Sequence, residues 1–105
     1  MSKVLDIQPN QFKSEVIDFA GKVVVDFYGP KCGPCQTMVP LLDELADEYA
    51  NEVKFVKVDA TQSYKLAAEH GVTTVPTFML FDNGEKQKRE SGTKTKIAFY
   101  KWIDS

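Results

Sequence analysis

Cys32 and Cys35 are the only cysteines in this chain of 105 residues. Three positions apart, they stand one helical turn from each other, close enough to bond without moving the backbone. A bridge across so short a loop removes little entropy from the unfolded chain, so the pair is better explained by chemistry than by support. Gly33 and Pro34 lie between them. Proline near a helix start gives up an N–H that has no intrahelical partner, and glycine permits a tight approach, so a helix N-terminus is expected here. The unpaired N–H groups and the helix dipole favour an anion there. A Cys32 thiolate would be that anion, with a lowered pKa and a sulfur able to attack another disulfide at neutral pH. Cys35, one turn away, would then attack the mixed disulfide and release the partner's second thiol.

Two rival readings attach to the pair. It could be an inert buried dithiol. It could ligate zinc, but a structural site needs four ligands, and beyond the cysteines the chain offers one histidine, His70. No metal is expected, and His70 is read as a polar residue closing a helix before Gly71.

Asp26 sits inside an otherwise apolar run, Val23 to Tyr28. Burial there should raise its pKa, so it could take the proton from the Cys35 thiol, directly or through a water. The plainer alternative is a buried acid paired with Lys57, were Lys57 on the neighbouring strand, and the two readings are compatible. Pro76, after Val75, suits the start of a strand, where a missing N–H is tolerated.

The elements that must position these residues follow from pattern. Asn10 to Phe19 has mostly helical spacing. Val23 to Tyr28 is β-branched and aromatic without alternation, as in a strand covered on both faces. Met38, Leu41, Leu42, Leu45 and Tyr49 form one apolar helix face, and Pro40 within it predicts a kink, because it cannot donate to residue 36. Asp43, Glu44, Asp47, Glu48 and Glu52 lie away from that face and are read as solvated. Val53 to Val58 is a second strand, and Ser63 is placed to cap a short helix from Tyr64 to about His70. Thr77 to Asp82 and Glu85 to Ser91 flank Asn83-Gly84, which suits a type I′ hairpin turn. Thr95 to Ile103 reads as a closing helix with Ile97, Tyr100 and either Lys101 or Ile103 on its packed face, and Trp102 against the core. Val4 to Ile7 reads as an edge strand. Helical crossovers early and a hairpin late imply an α/β fold, a mixed sheet with helices on both faces. Cys32 then follows the carboxyl end of the central strand, where sites in such sheets lie.

Composition narrows the functions. Thirteen Lys plus Arg against fifteen Asp plus Glu give a net charge of −2 and a pI near 5.3, which lacks the basic surplus expected of a nucleic-acid binder. No apolar run is long enough to span a membrane, and the first twenty residues do not resemble a secretory signal. A single domain over residues 1–105, cytoplasmic and monomeric, is the expectation.

The frame Val24-Val25-Asp26-Phe27-Tyr28, Cys32-Gly33-Pro34-Cys35, Pro40, Val56-Lys57-Val58-Asp59, Val75-Pro76-Thr77 and Gly92 resembles the thioredoxin family over essentially the whole chain. That resemblance implies the thioredoxin fold and a thiol–disulfide oxidoreductase that reduces disulfide-containing proteins. It implies Cys32 as nucleophile, Cys35 as resolving thiol, and Asp26 with Lys57 as the charged pair behind them. It also implies a cis bond before Pro76, with Val75 docking an extended substrate strand beside the disulfide and Gly92 keeping that surface open. Electrons would come from a thioredoxin reductase, either an NADPH flavoprotein or a ferredoxin-linked enzyme, with no cofactor bound to this chain. Three positions depart from the family's usual pattern. Tyr28 stands where tryptophan is common, Gly29-Pro30 replaces a typical Ala-x, and Lys31 replaces the tryptophan that normally precedes the first cysteine. Lys31 offers a mobile cation to the thiolate and to acidic partners in place of a flat apolar surface. The alternatives are a binding subunit or adaptor whose role does not need the thiols, and an oxidase or isomerase, which the pair's reduction potential would separate from a reductase.

Overall fold

The computed structural model describes residues 3–105. Five strands form one mixed sheet in the order β1-β3-β2-β4-β5. β2 (Lys22–Tyr28) occupies the centre, parallel to β3 (Val53–Asp59) and antiparallel to β4 (Thr77–Asp82). β1 (Leu5–Asp6) pairs parallel with β3 at one edge, and β5 (Glu85–Ser91) pairs antiparallel with β4 at the other. The central placement of β2 follows from its sequence, since residues Val23 to Phe27 are all buried and only a strand covered on both faces can hide consecutive side chains.

Alternation along the strands divides the core in two. Val24, Phe55, Phe78 and Leu80 leave one face of the sheet and meet Leu42, Leu45, Phe99 and Ile103 from the helices α2 (Val39–Glu48) and α4 (Lys96–Asp104). Val23, Val25, Phe27, Val56 and Met79 leave the other and meet Phe12, Val16 and Ala67. Ala67 belongs to α3 (Tyr64–Glu69), while Phe12 and Val16 come from residues 9–17.

That last segment corrects the expectation of one regular helix. It consists of a 3-10 turn, Pro9–Gln11, followed by a wider π-type turn, Lys13–Ile17, in which Asp18 N–H donates to the Lys13 carbonyl (2.8 Å). Packing of Phe12 and Val16 outweighs α-helical regularity in a piece this short. The kink expected at Pro40 is a complete break. The helix carrying the cysteines, α1 (Gly33–Thr37), ends at Met38, whose N–H donates to Cys35, and α2 begins anew.

Ser63 occupies the N-cap of α3, but its side chain accepts no hydrogen bond there. The Asp59 carboxylate instead holds the preceding turn, accepting from Thr61 N–H (2.8 Å) and Gln62 N–H (3.2 Å). α3 ends as expected, with Gly71 at φ +68° and paired bonds from Gly71 N–H to Ala68 and Val72 N–H to Ala67. The hairpin turn also has the expected form, with positive φ at both Asn83 and Gly84. In α4 the packed face is Phe99, Trp102 and Ile103, with Tyr100 partly buried beside it, so the expectation fails at Ile97, which is exposed, and holds for Tyr100 and Ile103. Trp102 packs edge-on to Phe99 as expected of a core residue. The acidic side of α2 is exposed at Glu44, Asp47 and Glu48, and so is Glu52 beyond it, as expected. Lys96 of α4 pairs with Glu44 (3.2 Å) and Glu48 (2.7 Å), tying the two helices together.

Candidate active site

The chain leaves β2 at Tyr28 and turns at once. Cys32 N–H donates to the Gly29 carbonyl (3.2 Å), closing a turn in which Pro30 presets the backbone and Lys31 is left exposed to solvent. Cys32 caps α1 and Cys35 sits in its first turn, as the motif predicts. The two sulfurs are bonded as a disulfide, with Cα atoms 5.2 Å apart. Their surroundings differ. Cys32 is half-buried, whereas Cys35 is buried at 3% exposure. Cys35 N–H donates to Cys32 Sγ (3.1 Å), the helix-terminal contact that the sequence predicts for an anion at this position.

A second loop closes over the disulfide. The Val75–Pro76 bond is cis, Pro76 is buried, and the Val75 carbonyl oxygen lies 3.8 Å from Cys32 Sγ. Thr77, fully buried, fixes this loop: its hydroxyl donates to the Thr74 carbonyl (2.7 Å) and meets the Ser91 hydroxyl (3.1 Å). Gly92 N–H donates to the Pro76 carbonyl (2.9 Å). Gly92 has φ +91°, which favours glycine, and a Cβ there would meet only open space. Gly29 is buried beneath the disulfide, where a Cβ would lie 3.4 Å from both Cys32 Cβ and Val75 Cγ2. Thr77 and Gly29 were not singled out from sequence as site residues. A hydroxyl directly after a strand-starting proline was the available signal for Thr77.

Behind the disulfide lies a cavity lined by Asp26, Tyr28, Gly29, Pro30, Cys35, Gln36, Val39 and Lys57, among others. Asp26 is 4% exposed, and its Oδ1 has no hydrogen-bond partner. Burial pushes its pKa up to about 7, against the opposing pull of the Lys57 ammonium. Lys57 is its register neighbour on β3, as the sequence reading allowed. The two do not form a close ion pair, however: among the described residues no carboxylate lies within ion-pair distance of Lys57, whose Nζ stands 5.5 Å from the Tyr28 ring centroid. The structure therefore brings Cys32, Val75 and Gly92 together at the surface over the buried Cys35 and Pro76, with Asp26 and Lys57 lining the cavity behind.

The thioredoxin family model matches residues 3–105. The chain belongs to the thioredoxin family. It is 36% identical to the thioredoxin of Rickettsia typhi over 104 residues, covering 99% of this chain and 96% of that protein. It is 38% identical to thioredoxin 1 of a Nostoc species, covering 99% and 97%. The crystal structure of thioredoxin NaTrxh from Nicotiana alata superposes with a TM-score of 0.86 at 31% identity, covering 96% of this chain and 90% of that one. As a thioredoxin-family protein with a Cys32–Cys35 pair, the chain is a thiol–disulfide oxidoreductase acting on protein disulfides. No helix among the described residues is long and apolar enough to cross a membrane.

Proposed function

We propose that the protein reduces disulfides in other proteins with Cys32 as nucleophile and Cys35 as resolving thiol. The observation that carries this division of labour is the unequal exposure of the two sulfurs. In the reduced protein the Cys32 thiolate attacks one sulfur of the substrate disulfide, forms a mixed disulfide and expels the other substrate sulfur as a thiolate. Cys35 then loses its proton and attacks Cys32 Sγ, which forms the Cys32–Cys35 bond and releases the second substrate thiol. Two electrons pass to the substrate, and the oxidised state is the one described above.

The Cys35 amide and the start of α1 favour the Cys32 thiolate, an effect for which thioredoxins are themselves a standard example. Gly33 and Pro34 give the helix start its shape. Asp26 accepts the Cys35 proton across the shared cavity, and Lys57 balances the resulting carboxylate. Val75 offers its backbone to an extended substrate segment, beside Pro76 and an open Gly92. Lys31, exposed beside the nucleophile, biases partner choice toward acidic surfaces. A thioredoxin reductase, NADPH flavoprotein or ferredoxin-linked, returns the electrons, and the cysteine pair is the only redox group needed. The cytoplasm is the proposed compartment.

Trapping tests the assignment. Reduced Cys35→Ser protein should accumulate a mixed disulfide with substrate through Cys32, while Cys32→Ser should not. Trapping through Cys35 instead would reverse the roles.

A further inference from the structure

Lys57 stands between two carboxylates. On β3 it is register-paired with Asp26 of β2 on one side and with Asp6 of β1 on the other. Paired residues of parallel strands leave the sheet on the same face, so all three side chains emerge on the α2 side. Asp26 is buried and Asp6 exposed. The Asp6 carboxylate is engaged by Tyr28, whose hydroxyl donates to Oδ2 (3.2 Å) and Oδ1 (3.4 Å). Burial and Asp6 itself push the Tyr28 hydroxyl up to about 12, so it remains a donor at any working pH. The same tyrosine's ring faces the Lys57 ammonium.

We propose that Asp6 and Tyr28 are positioning residues that set how much of the Lys57 charge reaches Asp26. While Tyr28 holds the Asp6 carboxylate, Lys57 stays over the ring and within reach of the buried acid. The other groups facing Asp26 do not substitute for Lys57. Its own strand brings Tyr28, β3 brings Asp59 beyond Lys57, α1 brings Cys35, α2 brings Asp43 on the cavity wall, and β4 brings the apolar Phe78. Lys57 is the only cation in that set. The proposal rests on the reading of Asp26 as proton acceptor only for its effect on rate.

Two substitutions should act in opposite directions. Asp6→Asn removes a charge but keeps an acceptor for Tyr28, so Lys57 answers to Asp26 alone and the Asp26 titration midpoint falls by about 0.5 pH unit. Tyr28→Phe keeps the ring but frees the Asp6 carboxylate to draw Lys57 away, so the midpoint rises. Direct repulsion between the carboxylates would give the first shift without the second. Asp6 is exposed on the edge strand β1 and Tyr28 is the half-buried last residue of β2, so folding should survive. The measurement is a carbon-13 NMR titration of the Asp26 carboxyl in the oxidised protein, alongside the pH profile of insulin reduction by the reduced one. Opposite shifts in the titration support the proposal, and no shift, or two shifts of one sign, overturns it. Opposite shifts that the rate profile does not follow would support the placement of Lys57 and overturn Asp26 as proton acceptor.

Discussion

Asp26 of β2 and Cys35 of α1 line the same cavity, although they stand nine positions apart in sequence with a tight turn between them. The relationship joins the buried sulfur to a buried carboxyl group whose pKa is pushed up to about 7. At neutral pH such a group exists in both protonation states, which suits a carrier that accepts and returns a proton in each cycle.

Asp26 also makes stability depend on pH. Its carboxyl has an ordinary value of 3.8 and a folded value of about 7, so between these the folded protein keeps a proton that the unfolded chain releases. Raising the pH therefore favours unfolding, and the penalty is complete above about pH 7, at roughly 4 kcal/mol. Asp26→Asn cannot ionise. Urea denaturation should show the variant more stable than wild type at pH 8, with the gap closing by pH 4.

His70 acts with the opposite sign. It packs against Phe12 (ring centroids 5.0 Å apart), Phe27 and Phe81, and burial followed by Lys86 holds its pKa below the ordinary 6.5. The unfolded chain takes up a proton below pH 6.5 that the folded one resists, so this contribution is lost as the pH falls. Comparison with His70→Gln cancels the Asp26 effect common to both proteins. The Tm advantage of wild type over the variant should be larger at pH 7.5 than at pH 5.5.

Gly84 is required twice over. Its φ of +83° disfavours a side chain, and a Cβ there would collide with the carbonyl oxygen of Ile17. Asn83 secures the same contact, exchanging hydrogen bonds with Gly21 through its side chain and its backbone N–H. Gly84→Ala should cost at least about 2 kcal/mol in chemical denaturation. Insulin reduction per folded molecule should not change.

Lys31→Glu should leave stability within about 0.5 kcal/mol of wild type, since the side chain is exposed at a turn. Reduction of an acidic disulfide peptide should slow and that of a basic one should quicken, with the contrast fading at high salt. Equal rates at low salt would remove Lys31 from partner selection.

How much of this was legible in the sequence varied with the physics behind each element. β2 was legible because a β-branched and aromatic run without alternation, interrupted only by Asp26, has one explanation in a small α/β domain, and the hairpin because Asn83-Gly84 has few other uses. The break at Met38 followed from the missing N–H of Pro40. Residues 10–19 were misread because helical spacing alone does not distinguish an α-helix from two tighter and wider turns. The packed face of α4 was misread at Ile97 and missed Phe99, because apolar residues lie on both sides of this helix and only the shape of the core decides between them. The disulfide and Asp26 were readable from residue type and spacing, whereas the cis Val75–Pro76 bond came from family resemblance alone. Asp6 carried no signal, because its part depends on strand register that pairs it with Lys57 across β1 and β3.

Cys32 as the working sulfur is the central claim, and insulin disulfide reduction with dithiothreitol as electron source tests it without any cognate reductase. Wild type and Cys32→Ser would be compared at equal concentration, with circular dichroism confirming that both are folded. The account predicts that wild type accelerates reduction and that Cys32→Ser gives the rate of dithiothreitol alone. Equal acceleration by the two proteins, or none by folded wild type, would contradict it.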